Sequence, residues 1–249
     1  MVDDYSPNYM TYNGNLLFHY TRFESCLKIL FTKKLLFGDF SRMNDISESF
    51  REVFNGYSED ELQKYKSLSF TYDKRGKRAF EIDSLWGYYA EKGNGACLVF
   101  DKNKIIKEFN RFKFFHRRGE INYRKDFTNA LFLNSDTKRA VVQEIEDRYK
   151  DIFFTKSQDW AKENEYRFLI KSEDYVLSSL NIKNALVSVI ICLPLEREVK
   201  KSYEYNLLRN ITTVPILHYH TCLGNKTLTD IDSGKLLWPI QEVDYEIAL

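Results

Sequence analysis

Trp160-Ala161-Lys162-Glu163-Asn164-Glu165-Tyr166-Arg167 runs without a break into Phe168-Leu169-Ile170. The second half is aromatic and β-prone, so a strand is predicted from Tyr166 to Ile170, with two carboxylates at its head. If residues 163–167 are extended, side chains alternate and Glu163 and Glu165 point to one face. Further strands are predicted on both sides of this one: Leu16 to Tyr20, Ser67 to Tyr72, Ala96 to Phe100, Ile121 to Tyr123, Leu186 to Leu193 and Val214 to His220. Ala96 to Phe100 is apolar throughout, as a central strand is.

Helices are expected between them. Phe23, Cys26, Leu27, Leu30 and Phe31 recur at helical spacing over about residues 22–33. Asn44 to Phe54, Asp83 to Tyr89 with Asp83 as cap, Lys102 to Phe109, Asp136 to Phe154 and a charged stretch at about 195–209 complete the set. Strands and helices alternate unevenly, which indicates an α+β fold rather than a regular parallel wind. No G-x-G-x-x-G follows a strand and no G-x-x-x-x-G-K-[ST] occurs. These absences argue against a Rossmann or P-loop nucleotide site.

The 249 residues fit one domain, with a loose arm at about residues 1–12 and a helical insertion at about 102–154. Aromatic residues make up 16% of the chain, enough to furnish a large core. A formal charge of +1 provides no global field for nucleic acid or an anionic membrane, so any such partner needs a local patch. Cys26, Cys97, Cys192 and Cys222 lie in apolar runs with no C-x-x-C spacing. Free thiols in a reducing compartment are the expectation, and with no basic-then-apolar leader and no membrane-length apolar run, so is a soluble cytoplasmic protein.

Three polar segments stand out against this apolar background. They are His19-Tyr20-Thr21; Trp86-Gly87-Tyr88-Tyr89-Ala90 ahead of Gly95-Ala96-Cys97-Leu98; and Trp160 to Arg167. In this order they resemble a widespread bacterial family catalogued as a domain of unknown function, marked by H-Y-T, W-x-x-Y-A before a G-x-C-L strand, and W-x-x-E-x-E-[YW]-R. Tyr88 stands where relatives carry histidine, and Ser41 to Asp45 lacks the proline usual in that loop. The family is similar to distant members of the ADP-ribosyltransferase superfamily. That resemblance implies an α+β domain of two small, mostly antiparallel sheets forming a cleft, with peripheral helices. It also implies NAD as substrate, held by His19, Tyr20, Thr21 and Tyr89, with Glu165 promoting cleavage and Glu163 assisting. ADP-ribosyl transfer to a macromolecule is the implied activity, in a toxin or phage-defence setting that admits a neutralising partner protein.

The chemistry suits those residue types. Breaking the nicotinamide–ribose bond builds oxocarbenium-like charge, which a carboxylate stabilises. A tyrosine face attracts the cationic nicotinamide ring. An NAD glycohydrolase, with water as acceptor, fits the same residues.

A reading from another class starts at Arg111, Lys113, Arg117 and Arg118, with Arg124 and Lys125 nearby, interleaved with Phe112, Phe114, Phe115 and Tyr123. Cations among aromatics suit single-stranded nucleic acid, so this segment is the expected docking place of a macromolecular acceptor, or the working surface of a non-catalytic sensor. A Cys97–His19 hydrolase is a third reading. His218 and His220 alternate on a strand, but no further metal ligand stands at a recognisable spacing.

Overall fold

Ala96–Asp101 is buried at every position except its last, because a strand runs along each of its edges. The structure, a computed structural model, describes residues 15–40, 43, 60–74, 77–125, 137–172, 178–192 and 199–238. The arm at 1–12 and the helix expected from Asn44 to Phe54 lie outside the described residues.

In chain order the elements begin with β1 (Leu16–Thr21), α1 (Phe23–Thr32), β2 (Lys34–Leu36), β3 (Gly38–Asp39) and β4 (Tyr65–Thr71). Next come α2 (Asp83–Tyr89), β5 (Ala96–Asp101), α3 (Lys102–Phe109), β6 (His116–Glu120) and β7 (Asn122–Arg124). They continue with α4 (Lys138–Asp147), α5 (Tyr149–Phe153), β8 (Thr155–Ser157), β9 (Glu165–Lys171) and β10 (Ser179–Asn181). β11 (Leu186–Ile191), α6 (Tyr203–Ile211), β12 (Ile216–Cys222), β13 (Asn225–Asp230) and β14 (Leu236–Trp238) come last. The protein is mixed α+β and its strands are mostly antiparallel. Among the described residues no helix is long and apolar enough to cross a membrane.

The chain divides into two compact units. The first comprises residues 1–32, 80–101 and 186–249. Its strands run in the order β14-β13-β12-β11-β5-β1. β11 and β12 are parallel, and α6 lies on the crossover that parallel neighbours require. Trp86 fixes α2: its indole N–H donates to the Phe80 carbonyl at 2.8 Å, and its ring stacks on Tyr219 at 5.5 Å. The Tyr219 hydroxyl donates to Asp83 at 3.0 Å, and burial followed by the Asp83 charge pushes its pKa up. Asp83 is therefore not the expected cap. It lies inside the helix after Ile82, with its carboxylate engaged by Tyr219 and, at 2.9 Å, by Lys226. On α1, Cys26 and Leu30 are buried as expected, whereas Phe31 is exposed.

The turn into β5 needs glycine. A Cβ on Gly95 would stand 2.3 Å from the Thr21 carbonyl oxygen and 2.8 Å from the Ala90 Cα. Both neighbours are backbone and cannot swing away. Gly95→Ala is expected to destabilise the protein by about 3 kcal/mol, at the upper end of overpacking costs, and to lower the urea midpoint correspondingly. An unchanged midpoint would show that the turn can open.

The second unit comprises residues 33–79 and 102–185. β4, β9 and β6 are antiparallel neighbours with β9 in the middle, and β3 pairs with β4. β2–β10 and β7–β8 form separate two-stranded ribbons. Among the described residues this unit's strands fall into three sheets, which corrects the expectation of two sheets. The reason is local: the short extended segments Lys34–Leu36 and Asn122–Arg124 find partners of their own. α4 and α5 cover a core of Phe40, Leu62, Tyr65, Val141, Ile145, Phe153 and Leu169. Thr137 caps α4, its hydroxyl accepting from the Ala140 N–H. The predicted helix from 136 to 154 is two helices that break at Arg148. Of the helix expected at 195–209, residues 195–198 lie outside the described residues, Val199–Lys201 is a 3-10 turn, and the α-helix runs over Tyr203–Ile211 with the Ser202 hydroxyl as its cap.

Candidate functional site

The two carboxylates at the head of β9 meet on one lysine. Lys156, from β8, donates to Glu163 at 2.7 Å and to Glu165 at 3.1 Å. Strand alternation does not bring them there. Glu163 ends a 3-10 turn over Gln158–Glu163, and Asn164 then adopts a left-handed conformation, φ 45°, before β9 begins. Asparagine tolerates that conformation better than most residues.

Glu165 is 4% exposed and fully engaged. Its Oε1 accepts from the Arg167 Nε at 2.7 Å and the Ser69 hydroxyl at 2.5 Å. Its Oε2 accepts from the Arg167 Nη2 at 2.9 Å as well as from Lys156. The Arg167 pair is bidentate, the strongest form of such contacts. Four donors fill the lone-pair positions of a carboxylate. Burial works to raise the Glu165 pKa, but Arg167 and then Lys156, with the hydrogen bonds from Arg167 and Ser69, hold it down at about 2.

The surroundings brace this arrangement. Arg167 is wholly buried, its third nitrogen donates to the Phe153 carbonyl at 2.6 Å, and its guanidinium lies over the Phe40 ring. Trp160 offers its face to Lys156 at 5.3 Å. The Glu165 amide donates to the Tyr123 hydroxyl at 3.0 Å. Burial, and then the Glu165 charge, push the Tyr123 pKa up.

Sequence reasoning singled out Glu163, Glu165 and Arg167 but missed Lys156, Ser69 and Tyr123 as their partners. Lys156 sits in a three-residue strand with no motif around it. No signal in the sequence marks it.

The NAD-contact candidates His19, Tyr20, Thr21 and Tyr89 belong to the first unit, and the basic cluster at 111–125 to the second. His19 lies on β1 opposite Leu98, half-buried. Tyr20 is buried, edge-on to Trp86 at 5.1 Å, and Thr21 is buried opposite Ala96. Tyr89 is half-buried at the end of α2, edge-on to Tyr88, which is exposed. Cys97 pairs with Tyr20 while His19 pairs with Leu98. Successive strand residues face opposite ways, so Cys97 and His19 lie on opposite faces. A cysteine–histidine nucleophile at these positions is thereby excluded. His218 and His220 share a face of β12, with rings 6.2 Å apart.

Residues 85–168 match a family described as Protein of unknown function (DUF2971). The matched span runs from within α2 into β9 and contains Trp86, Tyr89, Lys156, Glu163, Glu165 and Arg167. No curated protein and no solved structure matches the chain.

Proposed function

We propose that the protein cleaves the nicotinamide–ribose bond of NAD and transfers ADP-ribose to a macromolecular acceptor. The observation that carries this reading is the convergence of Glu163 and Glu165 on Lys156, with Glu165 locked in its charged form. As the C1′–N bond breaks, its electron pair leaves with nicotinamide and positive charge spreads over C1′ and the ring oxygen. A fixed anion in a water-poor setting stabilises that charge without reorganising. In this reading the full coordination of Glu165 makes it the positioning charge. Glu163, one residue before the left-handed turn, meets the ribose hydroxyl or takes the proton of the attacking nucleophile. A toxin or phage-defence role, with a neutralising partner, is the setting that the family resemblance adds.

Transfer and hydrolysis are separated by following the ribose. With adenylate-labelled NAD offered beside nucleic acid and lysate protein, transfer predicts label in the acid-insoluble fraction. Free labelled ADP-ribose alone would replace transfer by hydrolysis, and intact NAD would remove both.

A further inference from the structure

We propose that the β6 edge of the second unit binds single-stranded nucleic acid, the phosphates lying against Lys102, Lys113, Arg117 and Arg118 and a base stacking on Phe114. β6 pairs with β9 and closes one end of the strand order. Between residues 111 and 125 there are six cations, Arg111, Lys113, Arg117, Arg118, Arg124 and Lys125, against the single carboxylate Glu120. That imbalance is local, because the whole chain carries only +1.

What distinguishes this surface from an ordinary charged face is how its cations are placed. Arg111 is paired with Glu108 and Arg124 with Asp151. Among the described residues no carboxylate stands within 4.0 Å of Lys102, Lys113, Arg117 or Arg118. Arg117 and Arg118 are consecutive, so they leave opposite faces of the strand. Arg117 lies over the Phe115 ring at 4.4 Å and reaches toward Tyr149 at 5.3 Å. Arg118 donates to the Tyr166 hydroxyl at 3.4 Å. Lys102 stands over the Tyr166 ring at 4.3 Å. Aromatic side chains thus hold Lys102, Arg117 and Arg118 in place without neutralising them, and the guanidinium and ammonium groups keep their capacity for an external anion.

Lys102 and Arg118 both lie against Tyr166. Burial pulls the Lys102 pKa down; Glu120, itself 3.7 Å from Lys74, opposes that by more than Arg118 adds to it.

Phe114 points to the kind of strand. It is 44% exposed, the least buried aromatic of residues 111–125, and packs on Phe112 at 5.0 Å. An exposed, braced ring beside a row of unpaired cations matches what unstacked bases need, and a duplex hides its base faces. As a binding surface this stands without any catalysis. As the place where the acceptor of ADP-ribose docks, it rests on the function proposed above.

The test is fluorescence anisotropy of a labelled oligothymidylate of about 15 nucleotides with the full chain, in the absence of NAD. Four phosphate contacts predict that affinity falls about 50-fold between about 50 and about 200 mM salt. Arg117→Gln combined with Arg118→Gln should weaken binding and reduce that salt factor to about 7-fold. Phe114→Ala should weaken binding about tenfold at constant salt slope. Arg124→Gln, whose cation is already paired, should change neither, and thermal unfolding checks that every variant is folded. No binding, or binding that the Arg117/Arg118 variant leaves unchanged, overturns the proposal and leaves the cations as a guard against pairing at the strand edge. Equal affinity for duplex removes the role of Phe114 and overturns the single-strand assignment. Because NAD is absent, failure here leaves nicotinamide release untested, and failure of release leaves this result intact.

Discussion

Replacing Glu165 by Gln is expected to cost about 3–5 kcal/mol of folding stability at neutral pH, read as a lower urea midpoint with an unchanged slope. The substitution keeps the side-chain shape but removes the charge that faces Arg167 and Lys156. Arg167 is completely buried, so no water can take the place of the lost partner. Lys156 keeps Glu163 and is harmed less.

The effect should also depend on pH, with a definite sign. The folded-state pKa of Glu165 is held near 2, below the ordinary value of 4.5. A depressed carboxylate contributes stability that is fully present above the unfolded-state pKa and is lost as pH falls through the folded one. The gap between wild type and Glu165→Gln should therefore be constant above about pH 5 and narrow between about pH 4.5 and 2. A gap that stays flat through that window would mean that Glu165 is not the titrating group.

Glu163→Gln is expected to behave differently, and the contrast separates scaffold from chemistry. Glu163 is also buried, but its cationic partner Lys156 retains Glu165. The fold should survive while nicotinamide release falls by roughly a hundredfold or more, the range for loss of a positioned acid–base group. That loss should appear in kcat more than in KM, because the contact of Glu163 with the ribose hydroxyl or the nucleophile's proton strengthens in the transition state. A loss confined to KM would move Glu163 from the chemistry to substrate binding.

Strands that carry their own apolar signal were legible in the sequence. β5 is apolar over Ala96 to Phe100, and β9 carries Tyr166, Phe168, Leu169 and Ile170 behind its leading Glu165; both lie where the pattern predicts. β6 reads His-Arg-Arg-Gly-Glu, with no apolar alternation, and is a strand because β9 offers it an edge. There tertiary pairing overrides residue preference. β13, with Leu228 as its one buried residue, escapes the pattern for the same reason.

The site was legible to the same degree. Two acids and an arginine in one short run could be read directly. The reason offered for their convergence, strand alternation, was not the one that operates: the left-handed Asn164 and the β7–β8 ribbon that carries Lys156 bring the charges together. Long-range placement of a lone lysine leaves no periodic trace in one sequence.

The most direct measurement is nicotinamide release from NAD by the wild-type protein and Glu163→Gln, side by side, with nucleic acid and lysate present as acceptors. The proposed function predicts steady release by the wild type and its near-complete loss in the variant, with both proteins equally folded. No release by the folded wild-type protein, or equal release by both, would contradict it.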